Sequence, residues 1–381
     1  MTATVDDALG TRHATLQDLA TLLRGQKARK IDVIAPASAI RAHNGLILLE
    51  DTAPDLTPDG VGMTTGIYRP TGVCDAGIAD KLAIPAAYLR RMREQAPALY
   101  DQNVNGWLER DDRSFMIRCL RPDDPASGGT GIARAWLTDS YKVIDNLDVL
   151  VAALDGIRQA GYPVEVEECD LTERRMYVKV RCDAIQVMAP LLMAGYRSPF
   201  TGASGADNPF ISGGFVLTNS ETGCGACALA PRMVAQVCRN GMTITRDARR
   251  MIHLGERQQA GITWAGDTTD KSLALLTSMV RDTVTSILDP AYVQRAVRAM
   301  EKQAGHPVED PVEAVKVIST RLRYTEDQQA DILNHFIKGG DLTAGGILHA
   351  ITSAAQVQDD ADDAWEMENT ALDALRLAAA L

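Results

Sequence analysis

The sequence predicts an α+β fold: an antiparallel sheet core with packed helices, followed by a C-terminal all-helical region. Two observations support this prediction. Short runs that alternate apolar and polar residues lie between residues 114 and 219, and such alternation is typical of half-buried strands. From about Asp270 onward, apolar residues recur at helical spacing, with breaks at Gly, Pro and Asp.

The elements are expected in the following order. A helix is predicted for Thr15–Arg29, where leucines recur at helical spacing, and an irregular segment follows around Asp51–Thr71. Strands are predicted near Ser114–Leu120, Gly131–Thr138, Val164–Cys169, Arg174–Cys182 and Ile211–Asn219. Helices are predicted near Asp145–Ala160 and Pro231–Arg239. Helix breaks are expected near Asp289-Pro290, Gly305-His306-Pro307, Tyr324-Thr325, Gly339-Gly340 and Gln358-Asp359.

A chain of 381 residues with 46% hydrophobic content can bury a large core and suggests two or three domains. We expect an N-terminal helix and irregular or β segment in residues 1–83. An α+β core is expected in residues 84–258, and a helical region with an acidic tail in residues 265–381. No run of about 18 apolar residues is present, which argues against a membrane span.

The N-terminus has neither a basic region nor an apolar core, so no signal peptide is expected. The seven cysteines are therefore predicted to be reduced thiols in the cytoplasm of a bacterial host cell. They lie in apolar runs, so they are interpreted as buried structural residues.

The formal net charge of −11 argues against a non-specific nucleic-acid coat. The segment Asp359–Leu381 holds seven acidic residues against the single cation Arg376. This segment is interpreted as the solvated face of a helix. The alternative is an acidic tail that contacts a protein partner or shields a basic groove.

The strand Arg174–Cys182 has an unusual pattern. Its even positions are apolar, from Met176 to Cys182, whereas its odd positions are Arg175, Tyr177, Lys179 and Arg181. Because alternate side chains of a strand point to opposite faces, one face is predicted to be buried and the other to be cationic and aromatic.

Arg134 and Trp136 are predicted to share such a face on the strand Gly131–Thr138. Cations follow a phosphate backbone and aromatic rings stack on bases, so these faces suit single-stranded nucleic acid. Two alternatives stay open. Glu165 and Glu167 could form ordinary cross-strand ion pairs with Lys179 and Arg181, and Trp136 could pack under another element.

A third basic segment follows the predicted helix Pro231–Arg239 and could contact phosphates. The complete set of predicted nucleic-acid-binding residues is Arg134, Trp136, Lys142, Arg175, Tyr177, Lys179, Arg181, Arg239, Arg246, Arg249 and Arg250.

No catalytic residue, metal site or cofactor is predicted. Cys224 and Cys227 form a single CxxC pair without a second one, which is weak support for zinc. Asp139, Asp145 and Asp148 form the nearest acidic cluster, and its position before a helix favours capping of that helix.

Two blocks of closely spaced motifs in the sequence are similar to those of a known protein family. The first is the run Ala135-Trp136-Leu137-Thr138-Asp139 with its continuation to Asn146, and the second is the turn Asn219–Gly223 followed by Cys238–Met242 and His253–Gly255. Together they resemble the phage/plasmid-like proteins of domain-of-unknown-function family 932. The resemblance covers roughly a third of the chain and implies an accessory protein of phages, prophages or plasmids. It does not identify a catalytic residue.

The leading function is therefore single-stranded DNA binding or annealing in phage or plasmid recombination or replication, by a homo-oligomer. The first alternative is a non-enzymatic factor that binds a host or phage protein. The second is an undetected enzyme that acts on nucleic acid.

Overall fold

The computed structural model describes residues 9–50, 55–57, 60–62, 65–122, 129–141, 144–239, 241–244, 247–250 and 266–381. The strands in this part of the chain are β1 (Thr11–Ala14), β2 (Lys30–Pro36), β3 (Ile40–His43), β4 (Leu46–Leu49), β5 (Asp55–Thr57), β6 (Gly60–Gly62), β7 (Gly66–Pro70), β8 (Ser114–Leu120), β9 (Gly131–Thr138), β10 (Glu165–Leu171), β11 (Met176–Met188), β12 (Phe210–Asn219), β13 (Ala228–Ala235), β14 (Gly241–Thr243) and β15 (Arg249–Arg250).

The helices are α1 (Leu16–Arg29), α2 (Gly72–Lys81), α3 (Ala86–Gln95), α4 (Pro97–Leu108), α5 (Asn146–Ala160), α6 (Pro190–Met193), α7 (Gly266–Ile287), α8 (Pro290–Ala304), α9 (Pro311–Leu322), α10 (Glu326–Gly339), α11 (Ala344–Ala355) and α12 (Ala361–Ala378).

The first sheet is a six-stranded sheet with the order β2-β8-β9-β7-β4-β3. All its pairs are antiparallel except β7–β9, which is parallel. Helices α2, α3 and α4 pack on one face, where Ile117, Trp136 and Tyr100 belong to one apolar core. The sheet takes strands from both sides of residue 83, where a domain boundary is predicted.

The second sheet is seven-stranded and antiparallel, with the order β1-β10-β11-β12-β13-β14 and with β15 paired to β13. Helices α1, α5 and α7 cover one face, and their apolar residues share a core with Val178, Val180 and Leu217. Helix α12 lies on the opposite face, where Trp365 packs with Tyr177 and Val216. The seven-stranded sheet is thus buried on both sides in its centre.

The C-terminal helices begin and end close to the predicted breaks. A side-chain oxygen accepts a backbone N–H at the start of each of the last five helices, which is the usual way to satisfy the first turn. The capping residues are Asp289, Asp310, Thr325, Thr343 and Asp360. Gly340 follows α10 with φ of +70°, a conformation that glycine adopts without strain.

The structure is therefore an α+β fold, as predicted, with helices concentrated in the C-terminal region. The predictions for β8, β9 and α5 are confirmed, whereas the predicted helix Pro231–Arg239 is wrong. That segment is mostly β13, which pairs with β12 on one side and with β14 and β15 on the other. None of the helices in the described ranges is both long and apolar enough to cross a membrane.

Candidate functional site

The alternation predicted for β11 is confirmed, but its cationic face is not exposed. Met176, Val178 and Val180 are fully buried in the core shared with α5 and α7. Tyr177 and Lys179 on the opposite face are only 1% and 4% exposed. The prediction that only one face of this strand is buried is therefore wrong, because α12 covers the other face at Tyr177 and Lys179.

Helix α12 contacts Tyr177 with both an aromatic ring and a carboxylate. The centroids of the Tyr177 and Trp365 rings lie 5.4 Å apart in a tilted arrangement. The Tyr177 hydroxyl donates a hydrogen bond to Asp362. Burial together with Asp362 raises the pKa of Tyr177 well above its ordinary value. The phenol is consequently neutral and enclosed, and cannot stack on a base in this structure.

Lys179 and Arg181 are paired with acids of the same sheet and of α12. Lys179 Nζ lies 3.1 Å from Glu168 and 3.4 Å from Glu368, whose side chain is 1% exposed. Arg181 pairs with Glu165 at 2.7 Å and with Glu167 at 2.8 Å. The cross-strand alternative is therefore the correct interpretation. A bulge in β10 places Glu168, rather than Glu167, opposite Lys179.

Arg134 and Trp136 do not share a face, contrary to the prediction. The pairing of β8 with β9 shifts between Arg118 and Cys119, so one residue of β9 is inserted there as a β-bulge. Trp136 faces the core under α2 and is 1% exposed. Arg134 points the other way, toward Glu221. Strict alternation fails at this bulge, and neither side chain is available to nucleic acid.

Between the two sheets lies a group of buried and half-buried charges, which we term the junction cluster. It consists of Lys30, Asp32, Arg118, Arg134, Asp145 and Glu221.

Arg118 is the centre of the junction cluster and is fully buried. Its Nε donates to Asp32 at 2.8 Å and its Nη2 to Asp145 at 2.7 Å. Its Nη1 donates to the backbone carbonyl of Glu221 at 2.6 Å. One guanidinium thus links β2 and the segment before α5 to the turn after β12.

The Glu221 carboxylate completes the junction cluster. It accepts a hydrogen bond from Arg134 and one from the backbone N–H of Asn146 at 2.8 Å. Asn146 in turn accepts a side-chain hydrogen bond from Asn219 at 2.8 Å. The two motif blocks of the sequence therefore meet here. Arg118 and Asp32 were missed because neither residue belongs to a recognisable motif.

The electrostatics of the junction cluster fit a structural role. Burial alone would raise the pKa of Asp145, but Arg118 and Lys30 lower it to about 2. Asp145 is the residue before the first turn of α5, but its side chain makes these ion pairs and forms no capping hydrogen bond. Asp148 lies in the first turn, where the sequence predicts an acid that interacts favourably with the helix dipole. Beside Arg134 and Glu221 there is space for about one water molecule. This arrangement has neither a nucleophile paired with a base nor room for a substrate.

The remaining predicted residues have different environments. Arg175 is half-buried and donates to the carbonyl of Cys224 at 2.6 Å. Arg239 and Arg249 are exposed, as a nucleic-acid contact requires. The structure gives Arg250 a place in β15 but does not describe its side chain, and Lys142 and Arg246 lie outside the described residues.

Helix α8 carries a cationic face that was not predicted. Its apolar side, from Val293 to Ala304, is buried against the neighbouring helices and the seven-stranded sheet. Arg295, Arg298 and Lys302 are exposed on the opposite side, at the i, i+3, i+7 spacing of one helix face. None of the three forms an ion pair within the described part of the chain. We term these three residues the α8 face.

A cleft of about 520 Å³ lies between β13 and β15 on one side and α7 and α8 on the other. Arg249, Asp282 and Tyr292 line it, and the Tyr292 hydroxyl donates to Asp247 at 2.9 Å. Tyr292 precedes Arg295 by one helical turn, so the cleft adjoins the α8 face. Its two acids make the cleft itself a poor phosphate site.

Six of the seven cysteines are buried, as predicted, and Cys224 is half-buried. His13, Glu168 and Asp170 form a group whose possible metal-ligand atoms lie within 4.8 Å of one another. Arg12 pairs with both carboxylates, at 2.8 and 2.6 Å. This group is therefore already neutralised by protein cations, and it is better described as part of an ion-pair network.

In comparisons with models of protein families, with curated proteins and with solved structures, the chain finds no match.

Proposed function

We propose that this protein binds single-stranded DNA without catalysis, and that the α8 face is its main contact. The observation that carries the proposal is the α8 face itself, with three exposed cations on one side of a helix that form no ion pair with any described residue. The resemblance to domain-of-unknown-function family 932 supplies the context, an accessory role in phage or plasmid recombination or replication.

The net charge of −11 does not oppose local binding at physiological salt. The Debye length there is about 8 Å, so distant carboxylates are screened from a phosphate at the α8 face. Arg295 and Lys302 are seven residues apart, which corresponds to about 10 Å along a helix. This span allows contact with neighbouring phosphates of one strand.

The mode of binding differs from the one that the sequence suggested. Tyr177 and Trp136 are enclosed, so base stacking by these two rings is not part of the proposal. Contacts from Arg295, Arg298 and Lys302 would be mostly to phosphates, which position a strand but carry no sequence information. The expected binding is weak, independent of sequence and strongly dependent on salt.

The test is fluorescence anisotropy of a labelled oligonucleotide with the full chain at several salt concentrations. In the first variant, Arg295, Arg298 and Lys302 are each replaced by alanine. Each phosphate contact to a single strand contributes about 0.7 to the slope of log affinity against log salt. The loss of three contacts should therefore reduce that slope by about 2. These side chains are exposed, so the fold should be unaffected.

The matched control replaces three other exposed cations, Arg90, Arg91 and Arg110 of the α3–α4 region, by alanine. The net charge changes equally in the two variants, so a general charge effect would weaken binding equally. Equal weakening would refute the assignment to the α8 face. Absence of oligonucleotide binding by the wild-type chain at low salt would refute the function, and a protein partner would become the leading explanation.

A further inference from the structure

We propose that this protein associates head to tail with a second copy of itself, through two exposed surfaces of opposite charge. The first surface, the basic face, consists of the outward side chains of β3, β4 and β7: Arg41, His43, Leu46, Leu48, Ile67 and Arg69. The second, the acidic face, surrounds the start of α9: Glu309, Asp310, Val312, Glu313 and Val317.

The basic face is formed by strand register. Arg41 lies opposite Leu48, and Leu48 opposite Ile67, so the three side chains form a row across the strands. His43 lies opposite Leu46 in the next row.

The other side of these three strands contributes Ala42, Ile47 and Tyr68 to the core with α2, α3 and α4. Helices α2, α3 and α4 therefore lie on the side opposite to the basic face.

The two arginines of the basic face have no acidic partner among the residues that the structure describes. Arg41 and Arg69 are exposed, and neither makes an ion pair within the described ranges. Ile67 is 42% exposed, which is unusual for isoleucine in the middle of a sheet. The one nearby acid in the described sequence of these strands is Glu50, which follows β4.

The acidic face has the opposite charge and a similar aliphatic content. Glu309, Asp310 and Glu313 are all exposed, and Val312 is 61% exposed. They border an open cleft of about 350 Å³, whose floor includes Val308.

The charge of the acidic face is only slightly compensated. Lys316 approaches Glu313 at 3.5 Å, but both side chains are more than half exposed. Such a surface pair contributes little and leaves the face acidic.

Each face is thus a few aliphatic side chains surrounded by charges that are mostly of one sign. The two signs are complementary, and complementary charge favours encounter and fixes orientation. Because the two faces are different surfaces of one chain, their contact is heterologous and produces an open chain or a ring. The occupant that fits the basic face is therefore the acidic face of a second copy.

The size of the basic face determines how strong the association between two copies should be. Three strands about 4.8 Å apart present a patch roughly 15 Å across. A patch of this width has a smaller area than the roughly 800 Å² that each partner buries in a standard protein–protein interface. The association should therefore be weak, should increase with protein concentration and should decrease with salt.

Sedimentation velocity of the full chain at low and high salt tests the proposal with two variants. The first carries Arg41→Glu and Arg69→Glu, and the second carries Glu309→Lys and Glu313→Lys. Each variant alone should sediment as a monomer. An equal mixture should associate again, because the first variant keeps its acidic face and the second keeps its basic face.

The control variant carries Arg90→Glu and Arg91→Glu, which reverse two exposed cations elsewhere and should leave association unchanged. A wild-type chain that stays monomeric at high concentration and low salt would overturn the proposal, as would variants that associate like wild type.

If Arg41→Glu with Arg69→Glu removes oligonucleotide binding and leaves association intact, the basic face binds nucleic acid instead. The variant in which Arg295, Arg298 and Lys302 are replaced by alanine should associate like the wild type. A failure of the DNA-binding proposal can therefore be distinguished from a failure of the association proposal.

Discussion

Replacement of Glu221 by glutamine isolates the contribution of charge in the junction cluster. The side chain keeps its size and one carbonyl oxygen, so the hydrogen bond from Asn146 can persist. Arg118 keeps two acid partners, Asp32 and Asp145. Arg134 is different, because Glu221 is the one carboxylate with which it pairs among the described residues.

The expected cost follows from the burial of Arg134, whose residue is 7% exposed. Removing one partner of a buried ion pair leaves an uncompensated charge, which typically costs about 3–5 kcal/mol. Arg134 also keeps a hydrogen bond to Gln26, at a long 3.4 Å, so partial compensation remains. We therefore expect Glu221→Gln to lower the free energy of unfolding by about 3 kcal/mol.

Urea unfolding at neutral pH, followed by circular dichroism, measures this change. Replacing Arg134 by methionine in the Glu221→Gln background should recover part of the loss, because the unpaired charge is then removed. Asp373→Asn serves as the control, since the Asp373–Arg376 pair is exposed and should contribute almost nothing. A cost below about 1 kcal/mol for Glu221→Gln would contradict the assignment of a buried, charge-paired junction.

Four further outcomes are expected. The pKa of Asp145 is about 2 in the fold, below its ordinary value, so its stabilisation of about 2 kcal/mol is present above pH 4. That stabilisation should disappear as the pH falls from 4 to 2, and acid titration of Asp145→Asn should be correspondingly flatter. Val178→Asp should cost about 4 kcal/mol or more in urea unfolding, because the charge would be buried without a partner. Truncation after Gln358 should greatly lower the thermal unfolding temperature, since α12 is part of the core; a fully stable truncated chain would show that α12 is a detachable tail. A thiol reagent should modify Cys224 first, and simultaneous modification of several cysteines in the native protein would contradict the described burial.

Local sequence patterns correctly predicted those helices and strands whose formation depends on residues close together in the chain. Strands β8 and β9 and helix α5 follow from alternation, from helical spacing and from a C-terminal glycine, Gly161. The helix breaks after residue 289 follow from Asp, Thr and Gly at helix ends. Each of these signals is contained within a few residues.

Two local signals were misleading for physical reasons. The segment Pro231–Arg239 was predicted to be a helix, but Pro231 lies within β13 opposite Phe215. Tertiary pairing on both sides of β13 outweighs the local preference there. At Arg134 a bulge inserts one residue, and a one-residue shift exchanges the faces of all the residues beyond it. Neither the pairing nor the bulge can be identified from the strand alone.

The prediction that the cationic face of β11 binds nucleic acid was misleading for a different reason, which concerns the partner that this face contacts. Aromatic rings and cations on one face of a strand indicate a ligand with rings and negative charges, and a nucleic acid is one such ligand. Helix α12 provides the same groups from within the chain, since Trp365 packs on Tyr177 and Glu368 pairs with Lys179. A single strand pattern cannot distinguish these two partners.

The sequence nevertheless held the information that decides between them. The segment from Asp359 to Leu381 has seven acids and one cation, and it also contains Trp365. A basic-aromatic strand and an acidic segment with a tryptophan are complementary, and an intramolecular contact avoids the translational entropy that a separate ligand must lose. The complementary partner of such a strand should therefore be sought first within the same chain. An external ligand is proposed only for cations, such as those of the α8 face, that have no ion-pair partner among the described residues.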